Sequence, residues 1–223
     1  MYEKYNWMIY CTLYRTSGYF EGTFNSFAAW WTSGEYCHCE LVLKISSSKL
    51  MSCVKEVYDD IPNLEEKDQK RLIPSIENFF FLPTTLRRVQ QNDEVMLSFS
   101  LLWGETMCVR FLDEDATDYW YRLPSEKQKD ADVLEVLDVD DEQTLSVLRY
   151  GIGEMGKQYD TSGALFSWLP LSSEKKSKYE TYFCSEFCVM ALQNINLLSD
   201  LSAPHTTPNA LYKSLKSAMN SSI

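Results

Sequence analysis

The stretch that decides the fold is an alternating run, Tyr36-Cys37-His38-Cys39-Glu40-Leu41-Val42-Leu43-Lys44-Ile45. Successive side chains of a β-strand point to opposite faces of its sheet. One face of the predicted strand is apolar and is the predicted core face: Cys37, Cys39, Leu41, Leu43 and Ile45. The other face places His38 two residues before Glu40, about 6.6 Å along the strand. These two polar side chains are close enough to share a site.

A second stretch is Thr181-Tyr182-Phe183-Cys184-Ser185-Glu186-Phe187-Cys188. It predicts the start of a helix that runs to about Asn194. Its apolar residues recur at the i, i+3, i+4, i+7, i+8 spacing of a helix with one face on a core: Cys184, Phe187, Cys188, Ala191 and Leu192. Cys184 therefore falls in the first turn, on the face that is predicted to meet the sheet.

Cys184 is a candidate nucleophile because of its place at a helix N-terminus. The helix dipole and the unpaired backbone N–H groups of a first turn stabilise a thiolate and lower its pKa. The same N–H groups can bind the oxyanion of an acyl-transfer intermediate. A free cysteine is also a common small hydrophobic core residue. The spacing alone leaves both interpretations open.

His38 is the candidate base that would activate the cysteine. The chain has two histidines, and the other, His205, falls in a predicted surface loop. Glu40 is placed to fix the imidazole tautomer and to stabilise the imidazolium. A partner on a neighbouring strand, Ser52 or a backbone carbonyl, is the alternative. A histidine on a half-buried strand can also be a purely structural hydrogen-bonding residue.

The composition predicts a folded, acidic protein. The chain has 223 residues, of which 45% are hydrophobic, and a net charge of −11 with a pI of about 4.7. This charge argues against a nucleic-acid partner. Residues 1–11 do not read as a signal peptide, and no run approaches the ~18 apolar residues of a membrane span. Seven irregularly spaced cysteines are typical of a reducing compartment, so a cytoplasmic location is predicted.

The remaining sequence predicts further elements around the two key stretches. Residues 7–14 predict a first strand or an extended arm, and residues 24–31 a short helix that ends at Gly34. Residues 55–85 predict a loop with a short helix outside the core. Short strands are predicted at 94–103, 107–111, 119–122 and 133–139. An aspartate cap in 139–143 begins a helix that ends by Gly156, and 209–219 predict an amphipathic helix.

A zinc site is the rival use of these residues, since cysteine and histidine are both zinc ligands. On a strand, Cys37 and Cys39 point away from His38, and the chain has no Cys-x-x-Cys pair. The sequence therefore predicts no metal and no cofactor.

Five motifs in a fixed order resemble the circularly permuted, NlpC-like branch of the papain-fold superfamily. They are Trp31-Thr32-Ser33-Gly34, Cys37-His38-Cys39-Glu40, Gly156-Lys157-Gln158-Tyr159-Asp160, Tyr182-Phe183-Cys184-Ser185-Glu186 and Thr206-Thr207-Pro208. This branch includes relatives of lecithin:retinol acyltransferase, bacterial lipoprotein-like hydrolases and proteins of poxviruses and other large DNA viruses. The match covers roughly 8–55 and 130–215. Cys37 departs from the small polar residue that often precedes the histidine.

The resemblance implies an α+β fold, in which an antiparallel sheet or small barrel packs against the helix that carries the cysteine. The whole of 1–223 would be one permuted papain-like domain with an inserted β-rich segment. Residues 56–130 are expected to be an insertion or elaboration of this domain, and 1–14 are a candidate N-terminal arm. It also implies that Cys184 is the nucleophile, His38 the base and Glu40 the residue that orients the base. Tyr182 and Ser185 would line the site or assist the oxyanion.

The function implied is that of a thiol hydrolase or acyltransferase, of the peptidase or amidase class, acting on a peptide, other amide or lipid ester. The alternative is a structural protein, packaged in a virus particle and bound to capsid or other proteins, that keeps the fold with little catalysis. An acyl-lipid-binding module is a third hypothesis.

Overall fold

A five-stranded antiparallel sheet forms the centre of the fold. The computed structural model describes residues 8–15, 34–102, 104–112, 131–136, 139–166 and 181–221. The strands are β1 (Met8–Arg15), β2 (Tyr36–Ser46), β3 (Glu94–Ser100), β4 (Cys108–Leu112) and β5 (Ala131–Val136). Their order across the sheet is β4-β3-β2-β1-β5, and each neighbouring pair is antiparallel. The histidine strand β2 is therefore the central strand.

Helices follow and surround the strands in the described chain. They are α1 (Ser47–Asp60), α2 (Glu66–Phe80), α3 (Pro83–Gln91), α4 (Asp141–Gly153), α5 (Thr161–Phe166), α6 (Cys184–Gln193) and α7 (Pro208–Ser221). A two-stranded parallel pair, β6 (Gln158–Tyr159) and β7 (Thr181–Tyr182), precedes α6. Helix α6 packs on β2. The predicted α+β class is confirmed as a mixed fold with an antiparallel sheet against the cysteine helix.

The main core lies between one face of this sheet and the helices. Strand β2 contributes Cys39, Leu41, Leu43 and Ile45, each at most 1% exposed, and α6 contributes Phe187, Cys188, Ala191 and Leu192. Both predicted apolar stripes are thus buried, and each large side chain contributes about 1.5–3 kcal/mol to folding. Cys37 is only half-buried, because at the start of β2 its thiol turns toward the carbonyls of Tyr14 and Arg15.

The predicted aspartate cap is confirmed at α4. Asp140 accepts a hydrogen bond from the backbone N–H of Gln143, whose side chain accepts one from the backbone N–H of Asp140. This reciprocal capping box satisfies two backbone donors that the first turn leaves unpaired. The helix then buries Leu145, Leu148 and Ile152, the predicted stripe.

The prediction that residues 55–85 form a loop with a short helix outside the core is wrong. Residues 55–91 lie almost entirely in α1, α2 and α3. Leu72, Ile76 and Phe80 of α2 are buried at four-residue spacing, so this segment is part of the core. The prolines in this segment suggested a loop, but they are compatible with helices. Pro83 occupies the first turn of α3, where a missing N–H is harmless, and Pro74 is accommodated within α2. Strands β3 and β4 join the main sheet directly beside β2.

Residues 8–14 are not an arm but most of β1, which pairs with β2 on one side and β5 on the other. The predicted helix at 24–31 and the predicted strand at 119–122 lie outside the described residues, as do residues 1–7. None of the described helices is both long and apolar enough to cross a bilayer.

A side-chain clamp fixes the start of β2. Asn209, at the beginning of α7, accepts a hydrogen bond from the backbone N–H of Tyr36 and donates one to its carbonyl, both at 3.0 Å. Gly34 makes room for this amide, because a Cβ built there would lie 2.0 Å from the Asn209 Oδ1. A glycine is therefore required at the end of the Trp-Thr-x-Gly motif by close approach of another side chain.

Candidate active site

Cys184 is the first residue of α6 and lies against the start of β2. Phe183 precedes it in extended conformation, with φ −108° and ψ 166°, so the helix begins abruptly at the cysteine. The thiol is buried, with 5% of the residue exposed. The first backbone N–H groups of a helix have no intrahelical acceptor. Cys184 therefore lies beside unpaired backbone N–H groups, at the positive end of the helix dipole.

His38 and Cys184 act on each other electrostatically. Cys184 helps to raise the pKa of His38, and His38 helps to lower the pKa of Cys184. His38 is 5% exposed, and the ring of Tyr14 stacks on its imidazole with centroids 5.5 Å apart. The base is therefore held between the helix N-terminus and an aromatic side chain of the neighbouring strand.

Glu40 is the partner of His38 on the opposite side of the ring. Oε1 of Glu40 lies 3.3 Å from Nε2 of His38, and Glu40 is 1% exposed. His38 is therefore hydrogen-bonded to Glu40 and interacts electrostatically with Cys184. This is the arrangement that a thiol nucleophile, its base and an orienting carboxylate require.

A shell of donors surrounds the Glu40 carboxylate. Ser98 and Ser100 of β3 each donate from their hydroxyl at 2.7 Å, and Tyr14 of β1 donates at 3.1 Å. Arg110 of β4 donates from Nη2 to both carboxylate oxygens, at 2.6 and 2.5 Å. The cost of burying this charge is offset because the carboxylate is ion-paired and accepts hydrogen bonds at both oxygens.

The sequence reasoning did not identify these donors. The sequence shows serines at alternate positions of the segment that forms β3. It also shows an arginine between apolar residues of the segment that forms β4. Their relation to Glu40 depends on strand pairing, which the sequence pattern does not specify. The alternative partner Ser52 is an exposed residue of α1, so that proposal is wrong. His205 is half-buried in the 3-10 turn Ala203–His205.

The surroundings of the three side chains shift each pKa toward the charged form. Burial alone would lower the pKa of His38, but its hydrogen bonds with Cys184 and Glu40 raise that pKa to about 10. Burial alone would raise the pKa of Glu40, but the hydrogen bond and charge of His38, with the charge of Arg110, hold it at about 2. A hydrogen bond from Cys39, and then one from His38, lowers the pKa of Cys184 well below its usual range.

The two predicted oxyanion residues have other contacts. The hydroxyl of Ser185 donates to the carbonyl of Thr206 at 2.7 Å and is fully buried, so it ties α6 to the turn before α7. The hydroxyl of Tyr182 lies 3.4 Å from both the Tyr150 hydroxyl and Nζ of Lys157. The site roles of Tyr182 and Ser185 stay predictions. Burial raises the pKa of Tyr159, and the charge of Cys184 raises it further.

A cluster of thiols continues from the site into the core. Cys11, Cys39 and Cys188 are buried, and each of these thiols contributes to the pKa shift of at least one other. All seven cysteines of the chain are free thiols. Within the described ranges, no group of three or more His, Cys, Asp and Glu side chains has the geometry to hold a metal ion. The absence of a metal cofactor stays a prediction.

Comparisons with protein families, with curated proteins and with solved structures found no match to this chain. The family resemblance therefore rests on the five motifs alone. The candidate site rests on the contacts described above.

Proposed function

We propose that the protein is a cysteine hydrolase or acyltransferase that acts on an amide or ester bond. The observation that carries this proposal is the buried His38–Glu40 pair, whose carboxylate is held by donors from β1, β3 and β4. Cys184, at the N-terminus of α6, interacts electrostatically with this His38. A thiolate at a helix N-terminus, a buried imidazolium and a fixed carboxylate are together the requirements of thiol-dependent acyl transfer.

In the proposed reaction, the Cys184 sulfur attacks the substrate carbonyl, a C–S bond forms and the carbonyl electron pair moves to oxygen. Backbone N–H groups of the first turn of α6 bind this oxyanion. The intermediate collapses, the C–N or C–O bond breaks, and His38 gives its proton to the leaving group. A water or a second acceptor then loses a proton to His38 and attacks the thioester, which releases Cys184. Glu40 orients His38 throughout.

We also propose that the fold belongs to the permuted, NlpC-like branch of papain-like proteins, as one domain. Several motif residues support this. Gly34 admits the Asn209 clamp at the start of β2, and the Thr207 hydroxyl accepts a hydrogen bond from the Ala210 N–H at the start of α7. Backbone pairing of Tyr159 with Tyr182 brings the Gly-Lys-x-Tyr-Asp motif beside the cysteine motif.

The test uses an electrophilic acyl probe that labels thiol hydrolases, with mass spectrometry to locate the label. Cys184 is expected to be labelled in the wild-type protein, and Cys184→Ala to lose the label. Glu40→Gln is expected to reduce the labelling rate. Cys53→Ala is the matched control, because Cys53 is a buried thiol of α1. Labelling of Cys184→Ala at the wild-type rate would contradict the proposal.

The second candidate function is structural, as a protein packaged in a virus particle. Cys184 and His38 are each only 5% exposed, which favours a core role for the pair over contact with a large substrate. Quantitative mass spectrometry of purified particles would support this function by finding a fixed copy number. A wild-type Cys184 that reacts with small alkylating agents but with no acyl probe would also support it.

A further inference from the structure

Tyr14 of β1 contacts both members of the His38–Glu40 pair. Its ring stacks on the imidazole, with centroids 5.5 Å apart and an angle of 29° between the ring planes. Its hydroxyl donates to Oε2 of Glu40 at 3.1 Å. The side chain is buried, and only 7% of the residue is exposed. In the proposed reaction, Tyr14 is no more than one of the donors to Glu40.

We propose that Tyr14 is a positioning residue, whose ring fixes the plane of the His38 imidazole and keeps water from its hydrogen bond with Glu40. The proposal rests on the proposed function, in which His38 moves protons and Glu40 orients it. It adds to that function a residue that acts on the reaction only through the base.

The pairing of β1 with β2 places the tyrosine ring beside the imidazole. Tyr14 lies directly opposite His38 in this antiparallel pair, so the two side chains are neighbours on one face of the sheet. The register then shifts, because the next residue, Arg15, pairs with Tyr36 and leaves Cys37 as an extra residue in β2. A bulge of this kind bends its strand and re-aims the neighbouring side chains. The bulge adjoins the two residues whose rings stack.

The orientation of the imidazole matters because its two nitrogens have different tasks. Nε2 of His38 lies 3.3 Å from Oε1 of Glu40, so Nδ1 is the nitrogen left for proton transfer at Cys184. Rotation about the Cβ–Cγ bond tilts the ring and takes Nε2 out of line with the carboxylate. The stacked ring of Tyr14 resists this tilt, because a tilted imidazole would collide with it on one side and lose contact on the other.

The ring of Tyr14 also excludes water from the pair. Tyr14, His38 and Glu40 are all buried. Because the tyrosine ring covers one face of the imidazole, water cannot approach the Nε2–Oε1 hydrogen bond from that face. A hydrogen bond between charged groups is stronger where the effective dielectric constant is low. Tyr14→Leu would uncover this face, whereas Tyr14→Phe would keep it covered and remove only the hydroxyl.

The first test is the imidazole N–H spectrum of the full-length protein labelled with ¹⁵N. A hydrogen-bonded Nε2 proton that is shielded from water exchanges slowly and gives a resolved downfield signal. We expect this signal in the wild type and in Tyr14→Phe, and its loss through exchange with water in Tyr14→Leu. His38→Gln assigns the signal. Tyr10→Leu is the matched control, because Tyr10 lies on the same face of β1, four residues before Tyr14, and should leave the signal unchanged.

The second test is the rate at which the acyl probe labels Cys184. Tyr14→Leu should lower this rate about tenfold or more, because the base would no longer be held in the productive geometry. Tyr14→Phe and Tyr10→Leu should stay within about threefold of the wild type. Urea unfolding shows which variants are folded under the conditions of the assay. If Tyr14→Leu does not fold, Tyr14→Met is the second variant that lacks the ring.

Two results would overturn the inference. One is a missing N–H signal in the wild type or in folded Tyr14→Phe, and the other is a wild-type signal and labelling rate in a folded variant without the ring. A wild-type protein that shows the signal but is not labelled by the probe would instead refute the proposed function. The spectrum would still establish the position of the base, since it needs no catalysis.

Discussion

At the scale of single residues, Glu40 organises the candidate site. It is almost fully buried, yet it bonds to His38 on its own strand and to side chains from three other strands. A carboxylate in this setting both orients the imidazole and raises its pKa. One prediction tests the effect of Glu40 on the His38 pKa, and another tests the ion pair of Glu40 with Arg110.

The first prediction concerns the charge of His38. Because the hydrogen bond and charge of Glu40 contribute to the pKa of about 10 at His38, Glu40→Gln should lower that pKa toward its ordinary value of about 6.5. The imidazole ¹⁵N chemical shifts measured against pH report the change. The protein has two histidines, so His205→Asn assigns the signals. An unchanged His38 titration in Glu40→Gln would contradict the role given to Glu40.

The second prediction concerns stability and Arg110. Glu40 has a depressed pKa, so its contribution to stability is present above about pH 4.5 and is lost as the pH falls through about 2. Since Arg110 helps to depress that pKa, Arg110→Met should cost about 2 kcal/mol at neutral pH. The difference from wild type should narrow as the pH falls toward about 2, where Glu40 becomes protonated in both proteins.

Urea unfolding at a series of pH values measures this difference. Arg149→Met is the matched control, because Arg149 pairs with Glu56 and Glu142 at the surface. Its cost should be below about 1 kcal/mol. A cost for Arg110→Met that does not change with pH would show that Arg110 acts through packing instead.

At the scale of elements, the strand start that carries His38 is fixed by a helix far away in sequence. Gly34→Ala would place a methyl group on the Asn209 amide and displace the clamp at Tyr36. We expect a loss of about 2 kcal/mol and slower labelling of Cys184, because β2 would shift relative to α6. Thermal unfolding and the acyl probe measure the two effects.

Gly153→Ala is the control for this substitution. A Cβ at Gly153, the last residue of α4, has no atom within 4 Å, so alanine should be neutral or slightly stabilising there. Equal effects of the two substitutions would show that the clamp does not hold the strand.

At the scale of the whole molecule, residues 94–112 are part of the sheet that builds the site. Replacing them with a short Gly/Ser linker should abolish cooperative unfolding, because β3 would no longer pair with β2 and the edge of the core would be lost. Circular dichroism during urea unfolding tests this. The double variant Ser98→Ala/Ser100→Ala, which removes only donors to Glu40, should still unfold cooperatively. A linker variant that folds would show that the segment is a dispensable insertion.

The sequence by itself determined the local parts of this protein. Period-two alternation placed His38 beside Glu40, and helical spacing placed Cys184 in a first turn and on a buried stripe. An aspartate followed three residues later by glutamine predicted the start of α4. These features depend on neighbours within a few residues, which a sequence pattern records.

Only the tertiary structure decided which side chains surround His38 and Glu40. Ser98, Ser100 and Arg110 reach Glu40 because β3 and β4 pair in one register, and a shift by a single residue would turn them to the other face. The position of Cys184 relative to β2 likewise depends on how α6 packs on that strand. Pairing and packing are set by the free energy of the whole core, so no short stretch of the chain specifies them.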